Sequence, residues 1–138
     1  MKITLALVAR SIALAAAVAV PAAPLASQEP EIVVGVSLAR QEIERILEAD
    51  NLDLAALSPR EVAEAMASIP RGRAPQDFWD RYQGHLRAWQ WYAALASTEG
   101  VSGHDVLDAE DMVNATFADV ETIALKYGAR LPDPRVGR

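Results

Sequence analysis

The chain has 138 residues, 51% of them hydrophobic, with 13 Lys and Arg against 19 Asp and Glu, a net charge of -6 and no cysteine. Without cysteine there are no disulfides, thiol nucleophiles or thiolate metal sites. The acidic balance disfavours nucleic acid and anionic membrane surfaces as partners.

Residues 1–27 read as a secretory signal peptide. Lys2 and Arg10 supply a positive n-region, Ile12 to Val20 is a short apolar run, and Pro21 to Ser27 is a small-residue, helix-breaking stretch. An uncleaved anchor is the alternative. Arg10 in mid-span and the prolines Pro21 and Pro24 argue against it. The expected product is periplasmic or secreted, with no stable membrane span after cleavage. Removing Lys2 and Arg10 with the leader moves the net charge from -6 to -8. Residues 28–138 are enough for one domain with a single core.

Residues 28–36 (QEPEIVVGV) contain the β-branched run Ile32-Val33-Val34, which predicts an extended N-terminal arm. From Ser37 the pattern turns helical, with Ser37 as a cap and Ala39, Ile43, Ile46 and Leu47 at helical spacing. Asp50-Asn51 ends the run, and Leu52, Leu54 and Leu57 make a short apolar turn.

Ser58-Pro59-Arg60-Glu61 is the strongest local signal. Ser58 suits the N-cap, Pro59 the first helical position, and Glu61 stands where its side chain can bond back to the cap. A helix follows to about Ser68 and Pro70 stops it. Pro70 to Pro75 is a loop; Arg71 and Arg73 within it are read as solvated rather than as an anion grip.

Two long helices follow. The first runs from about Pro75 to Thr98, and Gly100 supplies the left-handed residue beyond its end. The second starts after Ser102, with Asp105 in capping-box position, and ends at Gly128. So short a connection forces an antiparallel hairpin. One seam reads Phe78, Tyr82, His85, Trp89, Tyr92 and Ala96; the facing seam reads Val106, Ala109, Val113, Thr116, Val120, Ile123 and Tyr127. A second apolar line, Gly84, Ala88, Trp91 and Leu95, predicts that the first long helix is central and covered on two sides. The expectation is therefore an all-α fold: a small bundle of about four helices over 37–130, closed by a long C-terminal antiparallel helical hairpin. Residues 131–138 are expected to form a flexible tail.

Four residues are candidate binding positions: Tyr82, His85, Trp89 and Trp91. His85 lies in mid-seam between Tyr82 and Trp89. It reads either as a ligand in a bundle pocket or as a core-edge histidine bonded to a carboxylate on the facing helix. Counting back from the tight turn places residues 114–121 at its height, with Glu121 or Asp119 as the expected partner. A metal needs convergent ligands. His104, the other histidine, lies at the turn, so no metal site is expected and no cofactor. No Ser-His-Asp order, H-E-x-x-H or glycine-rich phosphate loop is present, so no catalytic residue is assigned. The functional expectation is a non-enzymatic interaction or structural module of the cell envelope, working through an unknown protein partner or self-association. The alternative is a small-molecule or cofactor-binding bundle using the Tyr82, His85 and Trp89 seam.

Overall fold

The computed structural model describes residues 29–133. They form four helices: α1 (Glu29–Asp50), α2 (Pro59–Ala67), α3 (Gln76–Ala96) and α4 (Gly103–Lys126). No strand occurs among the described residues, and the fold is all-α with α3 and α4 packed as a C-terminal hairpin. The signal-peptide segment lies outside the described residues, as do residues 134–138. No helix among the described residues is long and apolar enough to cross a membrane.

α1 corrects the expectation of an extended arm over residues 28–36. The helix already runs at Glu29, and Ser37 sits inside it rather than capping it. The reason is one of magnitude. A β-branched residue costs only a few tenths of a kcal/mol in a helix, whereas extending an existing helix adds a hydrogen bond for each residue fixed. Ile32-Val33-Val34 is too short to overrule the helical segment it leads into. Among the described side chains, the second half of α1 enters the core through Ile43, Ile46 and Leu47 at spacings of three and one. Val36 and Leu38 remain exposed.

α2 begins as its sequence dictates. The Ser58 hydroxyl accepts from the Glu61 amide at 3.3 Å, and the Ser58 amide donates to the Glu61 carboxylate at 2.8 Å. Pro59 occupies the first turn. Val62, Ala63 and Met66 face inward, and Ile69 is buried just beyond the helix end. The following loop turns at Gly72, whose φ of 57° is left-handed. A Cβ at Gly72 would also collide with the Glu42 carboxylate. Arg45 pins the loop by donating to the Pro70 carbonyl at 2.8 Å while pairing with Glu42 at 3.0 Å. Arg71 turns back onto the Ala74 carbonyl.

The hairpin is held in register by three cross-helix contacts that step down toward its turn. Tyr127 donates to Asp77 at 2.8 Å, with Lys126 at 3.5 Å from the same carboxylate. Arg81 pairs with Asp119 at 3.6 Å. His85 meets Thr116 at 3.0 Å. Along the seam Phe78, Tyr82, Val120 and Ala124 are fully buried, and each large apolar side chain contributes roughly 1.5–3 kcal/mol. α3 is central, packed on α4 and on α2. Of the expected second line Ala88 is buried, with Leu86 and Ala93 buried beside it. Trp91 is 42% exposed. The reason is that α2 has nine residues, or about 13 Å of helix, and covers only one sector of α3.

α4 is capped by Ser102, whose hydroxyl accepts from the His104 amide at 3.1 Å. It ends in a Schellman motif: Gly128 is left-handed, its amide donates to the Leu125 carbonyl at 2.9 Å, and the Ala129 amide donates to the Ala124 carbonyl at 3.1 Å. That turn sends the chain back across α1. Ala129 is buried, the Arg130 amide donates to Glu44 at 3.0 Å, Leu131 packs on the core, and Asn51 donates to the Asp133 carbonyl at 2.8 Å. Residues 131–133 are thus a docked strap and not the start of a free tail. Leu131 packs on the core and the Asp133 carbonyl finds Asn51, just beyond α1 and far away in sequence.

Candidate functional site

The hairpin presents two parallel rows of side chains to one side of the bundle. His85, Trp89 and Tyr92 lie at spacings of four and three on α3. Glu110, Asn114, Phe117 and Glu121 lie at spacings of four, three and four on α4, which places them within a narrow angular sector. Opposite stands the turn that follows α1, from Asp50 to Leu57, and the strap residues Leu131 and Pro132 close one end. The space between is a cleft of about 740 Å³. Leu54 forms an apolar lip and is 57% exposed. Asp53 shapes that turn by accepting from the Ala55 amide at 3.1 Å.

His85 sits at the floor, 4% exposed. Its tautomer follows from its neighbours. The Trp89 indole N–H can only donate, and it points at His85 Nε2 at 3.3 Å. Nδ1 therefore carries the proton and donates to Thr116 Oγ1 at 3.0 Å. The Thr116 hydroxyl in turn donates to the carbonyls of Met112 or Val113, at 2.8 and 3.0 Å. Burial pulls the imidazole pKa down to about 4, with the Val113 backbone opposing that shift. His85 is neutral at physiological pH, with both nitrogens engaged. The carboxylate partner expected from the register count is not there. Thr116 takes that place within the expected stretch, Asp119 pairs with Arg81, and Glu121 lines the cleft. The register was right, but a buried imidazole satisfied by a hydroxyl needs no charge beside it.

Tyr82 is fully buried below the cleft. Its hydroxyl lies 3.4 Å from both Asp50 Oδ1 and the Met66 carbonyl. Burial, and then the Asp50 charge, raise its pKa well above the usual phenol value. Burial also pushes the Asp50 carboxyl up to about 6, and the Tyr82 hydroxyl offsets part of that rise. Aromatic contacts organise the floor and one wall. His85 meets Trp89 edge-on at 6.4 Å, Phe117 at 5.3 Å is tilted against His85, and Trp89 meets Tyr92 at 5.8 Å.

The structure brings Tyr82, His85 and Trp89 together, Tyr82 through Asp50 and the other two at the cleft surface. It does not bring in Trp91, which points away from the cleft two residues beyond Trp89. Asp50, Glu110 and Phe117 are not site candidates in the sequence reading, and Glu121 enters it only as an expected partner of His85. Glu110, Phe117 and Glu121 could have been found from the i, i+7, i+11 line beside the α4 seam. Asp50 carries no local signal, because its partner Tyr82 is 32 residues away. Among the described residues no group of three His, Asp or Glu side chains is placed to hold a metal ion. No known protein family, curated protein or solved structure matches this chain. The chemistry of the cleft must therefore be argued from its own side chains.

Proposed function

We propose that this chain is an exported, non-enzymatic binding module of the cell envelope, and that the cleft beside His85 and Trp89 holds a small ligand. The observation that supports it is the cleft itself. Its volume of about 740 Å³ falls in the ordinary range for small-molecule sites. Its walls are mainly aliphatic and aromatic, with a few polar groups at fixed positions, as such sites require. The His85 network favours binding over catalysis: a neutral imidazole that already donates and accepts holds the Trp89 ring in place. Export rests on the leader pattern of residues 1–27.

Trp89 supplies the test. Its emission is expected to respond when a ligand from native-host extract enters the cleft, and Trp89→Ala should lose that ligand in native mass spectrometry. Extract that leaves the chain unliganded, and its emission unmoved, overturns the reading. Export is tested by the N-terminus of the natively produced chain. A mature protein beginning near residue 28 is expected; one retaining Met1 in the cytosol overturns it.

One observation favours a second role in protein contact. Trp91 is 42% exposed on a side of α3 that neither α2 nor α4 covers. A large exposed indole of this kind suits a partner or a second copy of the chain. Light scattering of the wild type and of Trp91→Ser decides it: a concentration-dependent dimer that the variant abolishes is expected, and a monomer in both removes self-association.

A further inference from the structure

We infer that the ligand of this cleft is a small organic cation, an ammonium group carried on an apolar body. The inference rests on the binding reading above and adds the charge and chemical class of the occupant.

Four carboxylates line the cleft: Asp50, Asp53, Glu110 and Glu121. Among the described lining residues there is no Arg or Lys, and the one basic side chain, His85, is neutral. Several carboxylates outside the cleft have a cationic partner. Glu42 has Arg45, Glu44 has Arg40, Glu64 has Arg60, Asp77 has Lys126 and Asp119 has Arg81. None of those ion pairs includes a cleft residue. Arg40, Arg45, Arg60, Arg81 and Lys126 thus pair outside the cleft, whose lining sets four carboxylates among apolar walls.

That distribution is selective in a physical sense. An anion entering the cleft would meet four like charges in surroundings less screening than water, where such repulsion is strong. A cation would meet the opposite. The aromatic surfaces act in the same direction, because the faces of Trp89, Tyr92 and Phe117 attract positive charge. Asp50 adds an independent sign. It is partly buried at the end of α1 beside the Tyr82 hydroxyl, and its carboxyl is pushed up to about 6. Among the described residues no cation pairs with Asp50, and a cationic ligand would supply one.

The shape sets the rest. Glu110 and Glu121 are eleven residues apart on α4, so they stand about 16 Å apart along the helix axis. Phe117 lies between them on α4 and Trp89 faces from α3. An apolar body along this middle stretch leaves its charged end beside a carboxylate at either limit of the trough.

The test uses three probes with one tail and three charges: decylamine, decanol and decanoate, each below its micelle concentration. Binding to the purified chain is read by calorimetry and by Trp emission. Decylamine is expected to bind about tenfold or more tightly than decanol, decanoate more weakly than either, and added salt to weaken decylamine alone. Glu110→Gln with Glu121→Gln should reduce decylamine affinity several-fold and leave decanol unchanged. Both positions lie at the surface of α4, and an unchanged melting temperature confirms that the variant is folded. Equal binding of the three probes, or a ranking that survives the double variant, overturns the cationic ligand while the binding cleft stands. If no probe and no extract component binds, the cleft reading itself fails.

Discussion

The α3–α4 hairpin and the wall that faces it across the cleft are built in opposite ways. The hairpin is made of contacts that its own short turn enforces. Once residues 97–102 reverse the chain, Asp77 must find Tyr127, Arg81 must find Asp119 and His85 must find Thr116. The opposite wall is assembled from pieces remote in sequence: the end of α1, the turn from Asp50 to Leu57, and the strap at 129–133, joined by Arg130 to Glu44 and Asn51 to Asp133. Local closure costs little chain entropy and long-range closure costs more. The hairpin should therefore be the stiff half of the cleft and the facing wall the half that yields.

The largest expected effect strikes the stiff half. Phe78→Ala empties a fully buried site at the foot of the hairpin and should cost about 3–5 kcal/mol. Leu52→Ala, in the partly buried wall, should cost roughly 1 kcal/mol. Urea melts of the two variants measure both. Equal losses would break the contrast between the halves.

A smaller effect, on the order of 1–2 kcal/mol, is expected in the pH dependence of stability. It separates a hairpin group from a wall group. His85 titrates near 6.5 when unfolded and at about 4 when folded. Its contribution to stability is complete above pH 6.5 and is lost as pH falls toward 4. Asp50 is raised from 3.8 to about 6, so its contribution is complete below pH 3.8 and is lost as pH rises through 6. The two slopes oppose each other in one window. Between pH 4 and 6, stability measured relative to wild type should fall with rising pH in His85→Phe and rise with pH in Asp50→Asn. Slopes of the same sign in both variants would show that the two groups are not held as described.

The smallest of these effects belongs to the entrance of α2, which lies at the end of the yielding wall. Ser58→Ala removes the capping hydroxyl and should lower stability by about 1 kcal/mol. Hydrogen exchange should quicken in α2 and in residues 52–57 before it does in α3. Uniform quickening over all four helices would mean that the wall has no independence.

Legibility in the sequence follows the same division. The capping box at Ser58, the turn at Gly100 and the whole α4 seam from Val106 to Tyr127 were readable because each is set by residues within a turn or two. The register of His85 against 114–121 was readable for the same reason, though the identity of its partner was not. What escaped was non-local. Nothing near Asp50 announces Tyr82, and nothing in Leu131-Pro132-Asp133 announces α1. Trp91 groups with Ala88 by spacing alone, and spacing does not say that α2 is too short to reach it. Residues 29–36 read as extended because β-branched propensity is local, yet at a few tenths of a kcal/mol each it yields to the helix that continues beyond them.

The left-handed step at Gly128 has a mechanical meaning. It folds the end of the described chain back on itself like the tongue of a buckle, so that residue 133 is fastened beside residue 51. Because Leu131 and Pro132 line the trough, widening it at that end would mean unfastening the strap. A guest seated against Leu131 would tighten that fastening, and the amides of Ala129, Arg130, Leu131 and Asp133 would then register occupancy although they lie beyond the last helix.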